Sequence, residues 1–226
     1  NNTIDGADGD DSITAGTAND YIIGNTGTDI IAFYENLTSA DTIAGGSGTD
    51  TLTFTDAGGA TNELDNVTTV ETITLGDAAT NVTTVTALVT GTNTLTVSAS
   101  ALTGSNTLTW TGSAETDGGK FSITGSGQND TIIGGSGADT IDGAAGNDSI
   151  TGGGGADSIL GGSGADTIDG AAGNDSITGA AGNDSITAGT GDDSISGGNN
   201  DDTLVLGTNL TSADTICLLY TSPSPR

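Results

Sequence analysis

The sequence predicts an all-β fold, a parallel β-roll (a β-solenoid) of nonapeptide repeats with an intervening Thr/Val-rich β segment, and three observations predict it. An aliphatic residue recurs every nine positions from Ile123 through Ile132, Ile141, Ile150, Ile159, Ile168, Ile177, Ile186 and Ile195 to Leu204. Two residues before each of the last nine stands an Asp: Asp130, Asp139, Asp148, Asp157, Asp166, Asp175, Asp184, Asp193 and Asp202. Gly stands four residues before the aliphatic at Gly137, Gly146, Gly155, Gly164, Gly173, Gly182 and Gly191. The unit reads G-[GA]-x-G-[AN]-D-[ST]-I-x, and chance does not hold three registers in phase over such a run.

Each part of the unit has a physical role. Glycines in the first half permit positive φ and a tight turn. The triplet Ser/Thr-Ile-x is a minimal strand, with the aliphatic side chain inside and hydroxyls outside. Nine residues make half a coil, so residues 18 apart should stack at the interstrand spacing of about 4.8 Å. That brings Asp130, Asp148, Asp166, Asp184 and Asp202 together on one edge, and Asp139, Asp157, Asp175 and Asp193 on the other. Stacked carboxylates repel unless a cation lies between them. Calcium takes six to eight hard oxygen ligands at about 2.3–2.6 Å. Pairing each Asp with its neighbour one coil on gives about seven calcium sites here and about one more from Asp11 and Asp29, about eight ions in all. Such binding is coupled to folding.

Four regions follow. Residues 1–52 carry a shorter copy of the pattern, with Ile4, Ile13, Ile22 and Ile31 in phase and Asp11, Asp20 and Asp29 two residues ahead of the last three. The phase slips by three residues at Asn36–Ala40 and resumes with Asp41/Ile43 and Asp50/Leu52. Residues 53–121 are Thr- and Val-rich and alternate like strands, as in Thr94–Val97 and Thr107–Trp110; the pattern fits a small sandwich or irregular solenoid coils. Residues 122–216 hold the main repeat block and the start of a further module. Within it 134–152 recur identically at 161–179, and NLTSADTI at 36–43 recurs at 209–216. Residues 217–226 (CLLYTSPSPR) hold the sole Cys and both Pro and read as a foreign tail.

Composition narrows the function. The chain of 226 residues carries 30 acidic against 2 basic residues, a net charge of −28, with 39 Gly and 32% hydrophobic residues. Such a balance argues against nucleic acid and anionic membranes as partners, and no apolar run approaches the length of a transmembrane segment. With no His and Lys120 the sole internal basic residue, zinc hydrolysis and His- or Lys-assisted nucleophiles lack parts, so no enzyme is expected. Trp110, Phe121 and Tyr21 read as packing residues, and Asp142 and Asp169, outside the Asp register, as surface charge.

The unit resembles the RTX (repeats-in-toxin) hemolysin-type calcium-binding nonapeptide G-G-x-G-x-D-x-U-x. The resemblance implies that each calcium lies between successive turns, held by the Asp carboxylates and by carbonyls of Gly134, Gly137, Gly143, Gly146, Gly152, Gly155, Gly161, Gly164, Gly170, Gly173, Gly179 and Gly182. The pattern departs from the family at Gln128 and Asn200, which replace the second turn glycine, and at Ala15 and Ala18. The role expected is that of a secreted, extracellular or cell-surface structural repeat module, S-layer-like or adhesin-like, with self-association or cell-surface glycans as further partners. The alternative is the secretion and folding module of an RTX enzyme or toxin.

Overall fold

The computed structural model describes residues 1–33, 37–55, 64–78, 80–84, 88–206, 210 and 212–217; the rest of the expected foreign tail, 218–226, lies outside the described residues. The register D-[ST]-I-x-G dictates the strands. Alternate side chains face opposite sides of a strand, so Asp139, Ile141 and Gly143 point inward and are buried, while Thr140 is exposed. Each half-coil thus contributes one short strand, such as Ser149–Gly154 or Ser185–Thr187.

Described strands number 22, with no helix among them, and every pairing is parallel. One wall of the solenoid is an 11-stranded sheet running from Ser12–Thr14 to Thr215–Cys217. The opposite wall is split between a 4-stranded sheet, Thr3–Asp5 to Val67–Thr68, and a 7-stranded sheet, Thr80–Thr83 to Thr203–Val205. The chain therefore makes about 11 turns. In the repeat block the expected 18-residue stacking is observed: Ile132 pairs with Ile150, Ile150 with Ile168, and Ile141 with Ile159. The 27-residue duplication changes walls, its Thr140–Asp142 lying in the long sheet and its Thr167–Ala172 in the other.

The phase slip is absorbed as a wider coil. Tyr21 pairs with Thr42 and Ile30 with Thr51, so the strands stay in register across the longer connection. The second NLTSADTI widens its coil in the same way, since Ser194 pairs with Thr215. The Thr/Val-rich segment continues the solenoid rather than forming a sandwich. Its strands Thr72–Leu75 and Thr94–Ser98 belong to the long sheet, in coils wider still, where Thr72 pairs with Thr96 and Leu95 with Phe121. Wider coils enclose bulkier side chains. Phe54, Leu75, Val97, Trp110 and Phe121 are buried there, whereas the 18-residue coils hold a single file of isoleucines on each wall. Trp110 meets Phe121 edge-to-face, with centroids 5.5 Å apart. Of the aromatics expected to pack, Tyr21 does not: it is 47% exposed, because the position before the core Ile faces outward.

The second turn position is strained wherever it is Ala. Ala144, Ala171 and Ala180 have φ of 74°, 68° and 83°, where an L-residue costs about 1–2 kcal/mol. Asp142 and Asp169 compensate by accepting the amides of Ala144 and Ala171 at 2.9 and 3.0 Å, so they are turn braces and not plain surface charge. Ala171→Gly relieves the strain but adds about 0.4–1 kcal/mol of unfolded-chain entropy. A net stabilisation of about 0.5–1 kcal/mol is expected in calcium, measured by urea unfolding of the full chain; destabilisation would show that the turn tolerates Ala without strain.

Candidate metal centre

The strand register carries each repeat Asp into the roll at the start of a strand, and each turn Gly inward at the end of the preceding one. Both therefore meet at the same edge. The Oδ1 atom of each Asp accepts the backbone amide of the Asp one coil earlier: Asp148 from Asp130 at 2.8 Å, Asp166 from Asp148 and Asp184 from Asp166 at 2.9 Å. The other edge repeats this, with Asp157 accepting from Asp139 at 2.8 Å, and Asp175 and Asp193 from the preceding Asp at 2.9 Å. Two ladders of stacked carboxylates result, in the pairing that the 18-residue register requires.

The second oxygen is treated differently. Oδ2 of Asp148, Asp157, Asp166, Asp175 and Asp184 is buried with no hydrogen-bond partner. An unpaired buried carboxylate oxygen is costly and demands a counter-charge. It faces the Gly five residues back, and so does the carbonyl of the equivalent Gly one coil on. At Gly143 a β-carbon would stand 2.6 Å from Asp148 Oδ2 and 2.5 Å from the Gly161 carbonyl; at Gly161, 2.5 Å from Asp166 Oδ2 and 2.8 Å from the Gly179 carbonyl. A side chain is excluded from these cradles, and two hard oxygens of different coils converge beside each. That donor chemistry fits calcium and offers nothing to soft metals. No group of three or more His, Cys, Asp or Glu that could hold a metal occurs among the described residues, so backbone carbonyls must complete any site.

The second glycine set packs successive turns together. Gly146, Gly155, Gly164, Gly173 and Gly182 all have positive φ, and each packs against the chain one coil back, as Gly164 does on the Gly146 carbonyl. These contacts let the turns stack at strand spacing. Gly134 and Gly152 are cradle glycines like Gly143, and Gly170 and Gly179 likewise face Asp175 and Asp184; Gly137 packs on Gly119.

The ladders have closed ends. Asp130 Oδ2 accepts the Ser126 amide at 2.6 Å and Asp139 Oδ2 the Gly135 amide at 2.8 Å, while their Oδ1 atoms take the amides of Leu108 and Phe121 at 2.7 Å. Both carboxylates are thus satisfied by protein donors. At the far end Asp184 donates its amide to Asp202 at 3.1 Å, and Asp193 donates to Asp214 at 2.8 Å. In the N-terminal coils Asp11 and Asp29 occupy the expected places, with the Asp11 amide on Asp29 Oδ1 at 2.9 Å. Asp20, Asp41 and Asp50 join the same ladders through the wider coils, Asp20 donating to Asp41 at 2.7 Å and Asp29 to Asp50 at 2.9 Å. An 18-residue pairing rule does not reach them. Their Asp-x-aliphatic triplets do. Oδ2 of Asp11, Asp20, Asp29 and Asp50 is unpartnered too.

Burial pushes the carboxyls of Asp148 and Asp157 up to about 7 and that of Asp175 up to about 6, with the neighbouring Asp charges adding to the rise. Asp139, Asp166 and Asp184 are raised for the same first reason. Because the folded values are raised, bound protons stabilise the calcium-free roll below the ordinary carboxylate range of about 4. That contribution is lost as pH rises through about 6–7. In chelator, β content by circular dichroism should therefore increase from pH 8 to pH 4; a flat profile would mean that these carboxyls are not buried without metal.

No curated protein matches the chain. The profile of the RTX calcium-binding nonapeptide repeat, in four-copy form, matches residues 1–31, 38–54, 122–150, 143–177, 151–186 and 178–208. These are the coils whose Asp and Gly build the ladders, and together they exceed half the chain. Parallel roll, buried Asp ladder, glycine cradle and repeat profile agree: the chain belongs to the family of RTX calcium-binding nonapeptide repeat proteins.

Proposed function

We propose that this chain is a calcium-triggered structural module of an extracellular or cell-surface protein, S-layer-like or adhesin-like, that folds when about eight calcium ions enter its ladders. The observation that carries the reading is the set of nine buried, unpartnered Asp oxygens among the described residues, each at a turn edge between coils. Calcium supplies the positive charge there. The Asp carboxylates and the carbonyls of the cradle glycines and their turn neighbours supply the ligands. The family relation is to a calcium-binding repeat.

The surface role rests on recurrence. Both NLTSADTI segments widen a coil at the same point of the repeat, as expected of modules copied along a long chain. A surface-layer module should associate with itself once folded. Sedimentation velocity of the full chain in about 10⁻³ M calcium, a level typical of extracellular modules, should show assemblies that chelator dissolves. The sequence of the parent gene separates the two contexts: further modules of this kind support the surface role. An upstream zinc motif or Gly-x-Ser-x-Gly would replace it with the secretion module of an RTX enzyme or toxin.

A further inference from the structure

The ladder on one edge does not stop with the repeats. After Asp29 and Asp50 the next residue in its register is Glu71, in a coil that the repeat profile does not cover. Glu71 Oε2 accepts the Asp50 amide at 2.8 Å, as each ladder Asp does for its predecessor. Asp50 Oδ2 is fully buried and unpartnered. A β-carbon on Gly45 would stand 2.6 Å from that oxygen and against the Thr69 carbonyl, where the repeats place a glycine carbonyl. Thr69 adopts φ 51°, a left-handed conformation rare for a β-branched residue, and its hydroxyl accepts the Gly46 amide at 2.8 Å. The strained backbone thus aims a threonine carbonyl into the place that glycine fills in the repeats.

We propose that Asp50 Oδ2, the Thr69 carbonyl and the Glu71 carboxylate form a junction calcium site that joins the N-terminal repeat coils to the Thr/Val-rich segment. The inference rests on the calcium reading of the ladders. Beyond Glu71 the following strands of this wall pair through Leu95 and Phe121, which carry no ligand oxygen on their side chains, so the site closes this ladder. A cleft of about 400 Å³, lined by Thr69, Glu71, Thr90 and Asn93 among others, opens beside Glu71. Water entering it can fill the coordination positions that two carboxylates and one carbonyl leave open. Calcium there ties the two segments together, so the split in the opposite wall, between Val67–Thr68 and Thr80–Thr83, is bridged on this edge.

The test is calcium stoichiometry of the full chain by equilibrium dialysis, parent against Glu71→Gln. Gln keeps an acceptor for the Asp50 amide but loses the charge. The variant should bind one ion fewer while its circular dichroism in calcium matches the parent. Equal ion counts would overturn the junction site and leave the repeat sites standing, whereas a parent that binds no calcium would overturn both. Hydrogen exchange supplies a second readout should the variant unfold. In the parent, amides of residues 64–75 should gain protection on calcium addition at the same midpoint as residues 1–54. No gain, or a separate midpoint shared with no repeat coil, would overturn the proposal.

Discussion

Chelation of calcium from the full chain at pH 7.5 should convert its circular dichroism from β to unordered and move the emission of its single tryptophan to longer wavelength. Two facts set the size of this effect. The repeat coils enclose one file of isoleucines on each wall and little else apolar. The described residues carry nine buried carboxylate oxygens of Asp with no partner, within a chain of net charge −28. Burial of charge without compensation costs more than such a core returns, so folding waits for the ion. Trp110 is buried in the coil that adjoins the first closed Asp pair, next to Phe121, and so reports whether the block beside it has formed. Refolding should occur with a midpoint of about 10⁻⁴–10⁻³ M calcium, and magnesium should substitute poorly because it demands a small octahedral shell. A β spectrum that persists in excess chelator at this pH would sink calcium-coupled folding.

Asp166→Ala should remove more than one ion from the full chain, whereas Asp142→Ala should leave stoichiometry unchanged. Asp166 accepts the Asp148 amide through Oδ1, donates its own amide to Asp184, and directs Oδ2 at the Gly161 cradle. It thereby serves the coil on either side. A site filled at a hundred times its dissociation constant stabilises by about 2.7 kcal/mol, so two lost sites cost on the order of 5 kcal/mol, and the loss spreads because repeat arrays propagate stability between neighbours. Asp142 braces the Ala144 turn and accepts no ladder amide among the described residues. Calorimetric titration of both variants decides the matter. Loss of a single ion in Asp166→Ala, with an unchanged Hill slope, would refute shared sites in a stacked roll and leave independent acidic loops.

Most of the repeat block was legible in the sequence because its coils are all alike. When coil length is constant, periodicity alone specifies which Ile stacks on which and which Asp follows which, and the pairs Ile132/Ile150 and Asp148/Asp166 are where that arithmetic puts them. The same arithmetic fails where coil length varies. Asp20, Asp41 and Asp50 stand in the ladders only because the phase slip lengthens a coil without disturbing its strand pairing. Glu71 follows them only because Glu71-Thr72-Ile73 repeats the acid-hydroxyl-aliphatic triplet in a coil without repeat glycines. The Thr/Val-rich segment has strand-like alternation but no fixed period, so the choice between a sandwich and a solenoid fell to tertiary packing around Leu75, Val97, Trp110 and Phe121.

The sequence by itself determined the parallel roll, the inward Asp and Ile files, the outward hydroxyls and the hard-oxygen chemistry, since each follows from a residue type recurring at a constant interval. Only the tertiary structure decided how each carboxylate divides its two oxygens. Asp130 and Asp139 read in sequence like every other repeat Asp, yet Ser126 and Gly135 amides satisfy them, while Asp148, Asp157, Asp166, Asp175 and Asp184 keep Oδ2 unpartnered. The physical reason is that a hydrogen-bond donor close enough to occupy that oxygen comes from the conformation of the preceding turn, and turn conformation depends on which coil lies beneath it.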